Sequence, residues 1–253
     1  MSSVKNHYDQ HLAGFYSWMA GDPDAAMQRN IAFFQQLGIQ ATGNECAIDL
    51  GSGLGFQAIP LAQLGFSVIA VDFCAALLEE LRDRATASNL SIQTVQADIL
   101  QFIHSVNQPA NLITCMGDTL THLESLSFVQ SLLLRSKEML APEGKLILTF
   151  RDYVSVKWTG TQRFIPVRSD DHRLLTCFLE FHSETVQVYD LLYQKEGDRW
   201  VLHTSSYPKL RLNPDWVCAQ LLNVGLKITH QTNNNGMVCI VAEKIEPEQL
   251  RSS

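Results

Sequence analysis

Short apolar runs alternate along most of the chain with longer segments whose apolar residues recur every three or four positions. The runs predict buried strands, and the longer segments predict helices that cover them. Strands are predicted at Cys46–Leu50, Val68–Val71, Ser91–Val95, Asn111–Cys115 and Lys145–Phe150, and helices at Phe56–Leu64, Cys74–Ser88, Leu100–Val106 and Leu123–Leu140. This alternation indicates an α/β fold with a mostly parallel sheet that is covered on both faces.

Different patterns flank this region. Residues 4–19 and 23–37 predict two helices before the first strand. After Phe150 the strand-like segments follow one another without helices between them, which predicts an antiparallel β-meander. These segments are Arg163–Arg168, Arg173–Phe181, Thr185–Lys195 and Trp200–Tyr207, with a hairpin turn at Glu196–Arg199. A helix at Pro214–Val224 and a hairpin formed by Leu226–Gln231 and Met237–Ala242 complete the pattern.

The patterns divide the chain into five parts. We expect a helical N-terminal cap over residues 1–43 and an α/β core over 44–152. An antiparallel sheet over 153–212 is expected to be inserted there and to cover the site. Residues 213–245 then return to the core as its final helix and β-hairpin, whereas the polar segment 246–253 is expected to be a disordered tail.

Charge and cysteine usage exclude several classes of protein. Residues 1–150 carry 7 Lys and Arg against 14 Asp and Glu, and residues 151–253 carry 12 of each. Because neither half is basic, we expect no nucleic acid partner and no membrane partner. The six cysteines lie singly, without a CxxC pair, which gives no support for a metal site or a disulfide framework. No apolar signal segment is recognised at the N-terminus, and a cytoplasmic location is expected.

The most informative segment is Ala47-Ile-Asp-Leu-Gly-Ser-Gly-Leu-Gly55, at the end of the first strand. Glycine tolerates positive φ and has no Cβ, so Gly51, Gly53 and Gly55 allow a tight turn that approaches a ligand closely. Asp72 ends the second strand, where a carboxylate is placed to accept hydrogen bonds from a ribose. The two features together predict a site for a cofactor that contains adenosine.

Two details distinguish between cofactors. The spacing is G-x-G-x-G rather than the G-x-G-x-x-G of dinucleotide sites, and Asp49 precedes the first glycine by two residues. A carboxylate there repels a diphosphate but suits an ammonium or a sulfonium group. In these residues the chain resembles the class I S-adenosylmethionine (SAM)-dependent methyltransferases. The resemblance implies their Rossmann-like sheet, mostly parallel with an antiparallel last strand, and SAM as the cofactor.

The resemblance also implies roles for individual residues. The glycine loop would hold the methionine end of SAM, Asp72 the ribose, and the residues after the second and third strands the adenine. The implied cofactor residues are Tyr16, Asp49, Gly51, Ser52, Gly53, Gly55, Asp72, Phe73, Ala97, Asp98, Ile99, Met116 and Gly117. Tyr16 is the candidate to close over SAM. The alternatives are a tight turn that binds nothing, and Asp72 and Asp98 as helix caps.

Two later segments narrow the resemblance to glycine N-methyltransferase and related small-amine methyltransferases. They are Gly117-Asp-Thr-Leu-Thr-His-Leu123 and Arg151-Asp-Tyr153. In that group the arginine holds a substrate carboxylate, so Arg151, together with Asp118 and His122, is a candidate to face the substrate. The family has Asn where this chain has Asp118 and Asp152, and the added negative charge weakens the case for a simple amino acid.

The predicted reaction is methyl transfer from SAM to a small-molecule acceptor, preferably a nitrogen of a small carboxylated amine. Methyl transfer to an amine requires alignment and exclusion of water more than acid–base chemistry, so no metal is expected. Three alternatives stay open at this point: a small-molecule O-methyltransferase, a SAM-fold subunit that binds without turnover, and an NAD-type oxidoreductase. The sequence does not determine the oligomeric state.

Overall fold

The computed structural model describes residues 3–104, 106, 108–156 and 158–245, and the predicted disordered tail lies outside them. The strands, in chain order, are β1 (Cys46–Leu50), β2 (Ser67–Asp72), β3 (Ile92–Gln96), β4 (Ala110–Cys115), β5 (Leu140–Arg151), β6 (Phe164–Ser169), β7 (Arg173–Phe181), β8 (Thr185–Glu196), β9 (Arg199–Leu210), β10 (Leu226–Asn234) and β11 (Met237–Lys244). The α-helices are α1 (Ser3–His7), α2 (Tyr16–Ala20), α3 (Pro23–Gln36), α4 (Ala58–Gln63), α5 (Ala75–Ala87), α6 (Leu126–Met139) and α7 (Pro214–Asn223).

The main sheet has seven strands in the order β10-β11-β5-β4-β1-β2-β3. All neighbours from β3 to β5 pair in parallel, whereas β11 pairs antiparallel with both β5 and β10. Helices cover both faces, and every residue of β1 is buried. The predicted fold class is therefore confirmed. Because β1 to β5 run the same way, the loops that follow their carboxyl ends meet at one edge of the sheet.

The second sheet is antiparallel, with four strands in the order β6-β7-β8-β9. Its β8–β9 hairpin is closed by a two-residue turn in which Gly197 has a φ of 60°. One face of the sheet packs on the N-terminal segment, where Leu175 and Leu192 form an apolar cluster with Leu12 and Phe15. The second sheet and the N-terminal segment therefore pack against each other beside the carboxyl edge of the main sheet.

The N-terminal segment is helical but irregular. Between α1 and α2, residues Tyr8–Leu12 form a π-helical turn and Ala13–Phe15 a 3₁₀ turn, in place of the single helix predicted over residues 4–19. Helix α3 is regular and begins as the sequence indicates. Asp22 accepts hydrogen bonds from the backbone N–H groups of the second and third residues of this helix, with Pro23 at its first position.

One helix was wrongly predicted in the core, and one strand is longer than predicted. The helix predicted over Leu100–Val106 is a single 3₁₀ turn at Phe102–His104. Its apolar residues have helical spacing, but one turn already buries them in the core of the main sheet. The strand predicted over Lys145–Phe150 is longer in the structure, where β5 begins at Leu140 directly after α6. A register shift between β4 and β5 accommodates it, with Glu143 at a φ of 59°.

Candidate active site

A cavity opens at the carboxyl edge of the main sheet, between the loops after β1 to β4 and the N-terminal segment. Its lining contains most of the residues that the sequence singles out. These are Tyr16, Gly51, Ser52, Gly53, Asp72, Phe73, Asp98, Ile99, Met116, Gly117 and His122. Five other candidates lie outside the lining: Asp49, Gly55, Ala97, Asp118 and Arg151. The structure thus brings together one compact group from residues far apart in sequence.

The glycine loop after β1 is held tightly against the loop after β4. Gly51 has a φ of 73°, and its N–H donates to the backbone oxygen of Val71 at 2.8 Å. A Cβ at Gly51 would lie 2.4 Å from Cγ2 of Thr119. Both the backbone conformation and the close approach therefore require glycine here.

Asp72 fixes the shape of this loop. Its Oδ2 accepts from the N–H of Gly53 at 2.8 Å, and its Oδ1 accepts from the N–H of Cys74 at 2.8 Å. Burial raises the pKa of Asp72, and these backbone hydrogen bonds oppose that effect. Capping and cavity lining thus coexist in one side chain. Its contact with a ribose stays a prediction.

Gly55 has a packing position rather than a place in the cavity wall. Its φ is 84°, and a Cβ there would lie 2.8 Å from Cγ of Leu81 in helix α5. Ala97 is likewise behind the wall, where its N–H donates to the backbone oxygen of Asp72 at 3.0 Å. These two residues support the cavity from outside.

Asp49 is buried beneath the glycine loop. Its Oδ1 accepts from the hydroxyl of Thr114 at 2.7 Å, whereas its Oδ2 has no hydrogen-bond partner within the described residues. Burial raises the pKa of Asp49 to about 7. The hydroxyl of Ser52, in the same loop, is also buried and unpartnered among those residues. Two unsatisfied polar atoms close to the cavity indicate a polar ligand group.

Asp98 lies at the other end of the cavity, after β3. Its Oδ1 accepts from the N–H of Leu100 at 2.7 Å, and Leu100 itself lines the cavity. Asp98 therefore closes a local turn, as its alternative interpretation holds, and still presents its exposed edge to the cavity. Its contact with an adenine stays a prediction.

Aromatic side chains of the N-terminal segment cover the middle of the cavity. The ring of Tyr8 lies 6.0 Å from that of Tyr16, 5.4 Å from that of Phe73 and 5.9 Å from that of His122. The neighbouring His7 anchors this segment to the second sheet. Its Nδ1 lies 2.7 Å from the hydroxyl of Ser205. Tyr8 and Tyr16 thus form one wall with the main-sheet loops.

His122 lines the cavity among aromatic rings, with Tyr207 at 5.4 Å from ring centroid to ring centroid. Burial, and after it the charge of Lys209, lowers the pKa of His122 to about 3. The imidazole is therefore neutral at physiological pH. A group with so low a pKa is a weak base, although it accepts hydrogen bonds.

Asp118 does not face the cavity. It has a φ of 80°, and its buried carboxylate turns toward strand β9, where Oδ2 accepts from Nζ of Lys209 at 2.5 Å. Oδ1 accepts from the N–H of Arg151 at 2.9 Å. Burial acts to raise the pKa of Asp118, but Lys209 and the hydrogen bonds outweigh it and hold the pKa at about 2. Asp118 is a charged partner within the protein.

Arg151 extends outside the cavity lining, with 46% of its side chain exposed. Its Nε lies 4.0 Å from Oδ2 of Asp118. The neighbouring carboxylate of Asp152 is occupied elsewhere, because its Oδ1 accepts from the N–H groups of Val154 and Ser155. Arg151 therefore stands beside the Asp118–Lys209 pair.

Sequence reasoning missed two residues of this site. Tyr8 lines the cavity, but the amphipathic pattern of its helix gave no reason to separate it from core residues. Lys209 lies in a strand of the second sheet, 91 residues from its partner Asp118. Its signal in the sequence is weak: a lysine beside apolar residues near the end of a strand.

Known proteins are similar in sequence to the part of the chain that forms this site. The sequence model of a family described as "Methyltransferase domain" matches residues 47–144. The chain is 27% identical over 188 residues to the glycine/sarcosine N-methyltransferase of Aphanothece halophytica, a match that covers 73% of this chain and 67% of that protein. These matches confirm the resemblance to the class I SAM-dependent methyltransferases.

Two further proteins resemble this methyltransferase, one in sequence and one in structure. It is 31% identical to the glycine/sarcosine/dimethylglycine N-methyltransferase of Actinopolyspora halophila, over 51% of its own length but 22% of that protein. It superposes on SAM-bound CalS10, an amino pentose methyltransferase from Micromonospora echinaspora, with a TM-score of 0.74. That superposition covers 90% of this chain and 94% of the other at 13% identity, which shows the shared fold.

SAM is the cofactor of this family, and the residues of the cavity fit it. The unpartnered Oδ2 of Asp49 and the hydroxyl of Ser52 suit the polar methionine end, while Asp72 and Asp98 suit the ribose and adenine. SAM supplies an electrophilic methyl group when it is bound. Within the described part of the methyltransferase, no helix combines the length and the apolar character needed to cross a membrane.

Proposed function

We propose that this methyltransferase transfers the methyl group of SAM to a nitrogen of a small amine that carries a carboxylate. The proposal rests on one observation about two polar candidates, His122, which lines the cavity, and Asp118, which lies behind its lining. Neither is a competent base: His122 is enclosed by aromatic rings, and Asp118 is bound to Lys209. Their pKa values, about 3 and about 2, lie far below neutrality.

This observation favours nitrogen over oxygen as the acceptor atom. A hydroxyl becomes a good nucleophile when a base with a pKa near neutrality removes its proton. A neutral amine already has a free electron pair and needs no base in the transition state. The chain then contributes alignment, through the wall formed by Tyr8, Tyr16 and His122, and exclusion of water.

The carboxylate is supported by charge and by similarity. Arg151 and Lys209 place two cations beside the single carboxylate of Asp118. Two relatives are described as glycine/sarcosine N-methyltransferase and glycine/sarcosine/dimethylglycine N-methyltransferase. Both names refer to small amines with a carboxylate, and we extend that acceptor class to this chain.

The test has two parts. The purified protein is first titrated calorimetrically with SAM, S-adenosylhomocysteine and NAD, with the Asp72→Asn variant as a control for the site. It is then incubated with SAM and a panel of glycine, sarcosine, a catechol and an amino sugar, and the S-adenosylhomocysteine formed is measured. We expect binding of both sulfur compounds and turnover of a carboxylated amine. Turnover of the catechol or the amino sugar alone would overturn the proposed acceptor.

A further inference from the structure

The ammonium group of Lys209 is buried and has one hydrogen-bond acceptor among the described residues. Its side chain is 11% exposed, and within the described residues Oδ2 of Asp118, at 2.5 Å, is the acceptor of its ammonium. An ammonium has three N–H donors. Two of them therefore lack a protein partner, and a buried donor without a partner costs free energy. Such a group indicates a polar ligand.

The charges around Lys209 are unbalanced. Asp118 is the carboxylate at the centre, with Lys209 on one side and Nε of Arg151 4.0 Å away on the other. The remaining polar partner, the hydroxyl of Tyr153, is 3.5 Å from the same Oδ2 and is neutral, because burial raises its pKa to about 12. Two cations that share one carboxylate leave a net positive charge, which a carboxylate of a ligand would neutralise.

This positive group lies behind the cavity wall, outside the lining itself. Nζ of Lys209 lies 5.7 Å from the ring centroid of Tyr207, and that ring lies 5.4 Å from the ring of His122 in the cavity wall. Gly117 and Thr119, the two neighbours of Asp118 in the chain, also line the cavity. Lys209 therefore lies near the His122 end of the cavity, behind its lining.

We propose that Lys209, held in place by Asp118, binds the carboxylate of the acceptor and selects carboxylated amines. This inference rests on the proposed function and names the residue that recognises its substrate. Arg151, at its exposed position, contributes positive charge at longer range, and Lys209 makes the principal contact. Asp118 acts as a positioning residue, since it fixes Lys209 without contacting the acceptor. This explains a carboxylate at position 118: it is the counter-ion of Lys209.

The test compares sarcosine with sarcosinamide, which has the same reactive nitrogen but no carboxylate. Four variants are used: Lys209→Met, the double variant Asp118→Asn with Lys209→Met, Asp118→Asn, and Arg151→Gln. The double variant removes the buried pair as a unit, so it avoids leaving Asp118 unpaired and retains the fold. Lys195→Met, at an exposed position of the same sheet, is the matched control.

We expect the wild-type enzyme to prefer sarcosine, and the double variant to lose that preference roughly 10- to 100-fold, as expected for a charge-assisted hydrogen bond. The loss should fall on the KM for sarcosine, with SAM affinity unchanged. Asp118→Asn should reduce the preference less than the double variant does, because Lys209 keeps its side chain but loses the carboxylate that fixes it, and Lys195→Met should have no effect. Sarcosine binding to the S-adenosylhomocysteine complex, followed by calorimetry, should weaken in parallel.

The outcomes separate the two proposals. If the wild type methylates neither compound and no other carboxylated amine, the proposed function fails and the role of Lys209 fails with it. If the wild type prefers sarcosine and the double variant keeps that preference, the proposed function stands and the role of Lys209 is overturned. If Arg151→Gln alone abolishes the preference, Arg151 is the principal contact and the assignment to Lys209 is wrong.

Discussion

Lys209 and Asp118 form an ion pair, 2.5 Å from Nζ to Oδ2, between strand β9 and the loop after β4. It joins the second sheet to the edge of the main sheet at which the cavity opens. Both side chains are largely buried, at 11% and 7% exposed. A pair of this kind contributes little net stability against an apolar replacement, but loss of one partner leaves an uncompensated buried charge.

Lys209→Met is therefore expected to destabilise the protein by about 3–5 kcal/mol, because Asp118 is left charged and unpaired. The free energy of unfolding is measured by urea titration. The double variant with Asp118→Asn should recover most of the loss. If Lys209→Met is as stable as the wild type, the pair is not buried in solution as the structure has it.

The same pair predicts a dependence of stability on acid. The pKa of Asp118 is lowered from 3.8 to about 2, so its contribution is complete above pH 4 and is lost as the pH falls toward 2. Unfolding midpoints measured between pH 5 and 2 should fall more steeply for the wild type than for the double variant. Equal slopes in the two proteins would contradict the lowered pKa.

Asp49 predicts a pH dependence of stability that is opposite to that of Asp118. Its pKa is raised from 3.8 to about 7, so the folded protein without cofactor loses stability as the pH rises through this range. A cation of the cofactor next to Asp49 would favour the ionised form and release a proton. SAM affinity should therefore increase with pH up to about 7, and calorimetry in buffers of different ionisation enthalpy should detect the released proton. Asp49→Asn should flatten the pH profile while the protein stays folded.

Gly51→Ala is expected to disrupt the cavity. The new Cβ would lie 2.4 Å from Cγ2 of Thr119, and the residue would keep a φ of 73°. The backbone conformation alone costs about 1–2 kcal/mol for an L-residue. Gly38→Ala is the matched control, because Gly38 has a φ of 67° but open space around the added Cβ. SAM binding and unfolding are measured for both, and the loss of binding should appear at Gly51 alone.

Asp72→Ala is expected to weaken SAM binding by about 1–3 kcal/mol, the cost of removing a charged hydrogen-bond acceptor. It also frees the N–H groups of Gly53 and Cys74, so some loss of stability should accompany it. Calorimetric titration with SAM and S-adenosylhomocysteine gives the affinity. Asp83→Ala, on the exposed face of helix α5, is the control. A folded Asp72→Ala protein with unchanged affinity would remove Asp72 from the cofactor site.

The sequence by itself determined the fold class and a group of the residues that line the cavity. Gly51, Gly53 and Asp72 were found from local spacing, because a tight turn after a strand and a carboxylate at the end of the next strand are each specified within a few residues. The alternation of strands and helices then placed these segments at the same edge of the sheet. Both kinds of signal are short-range or periodic, so they can be recognised in one sequence alone.

The tertiary structure alone decided which polar groups meet at the substrate end. Asp118 was predicted to face the substrate, but its φ of 80° turns the carboxylate toward Lys209, 91 residues away in sequence. Arg151 was also predicted to face the substrate, and it lies beside Asp118 with 46% of its side chain exposed. The direction of a side chain depends on its backbone conformation and on the element packed against it. No local sequence pattern predicts that Lys209 on strand β9 contacts the loop after β4.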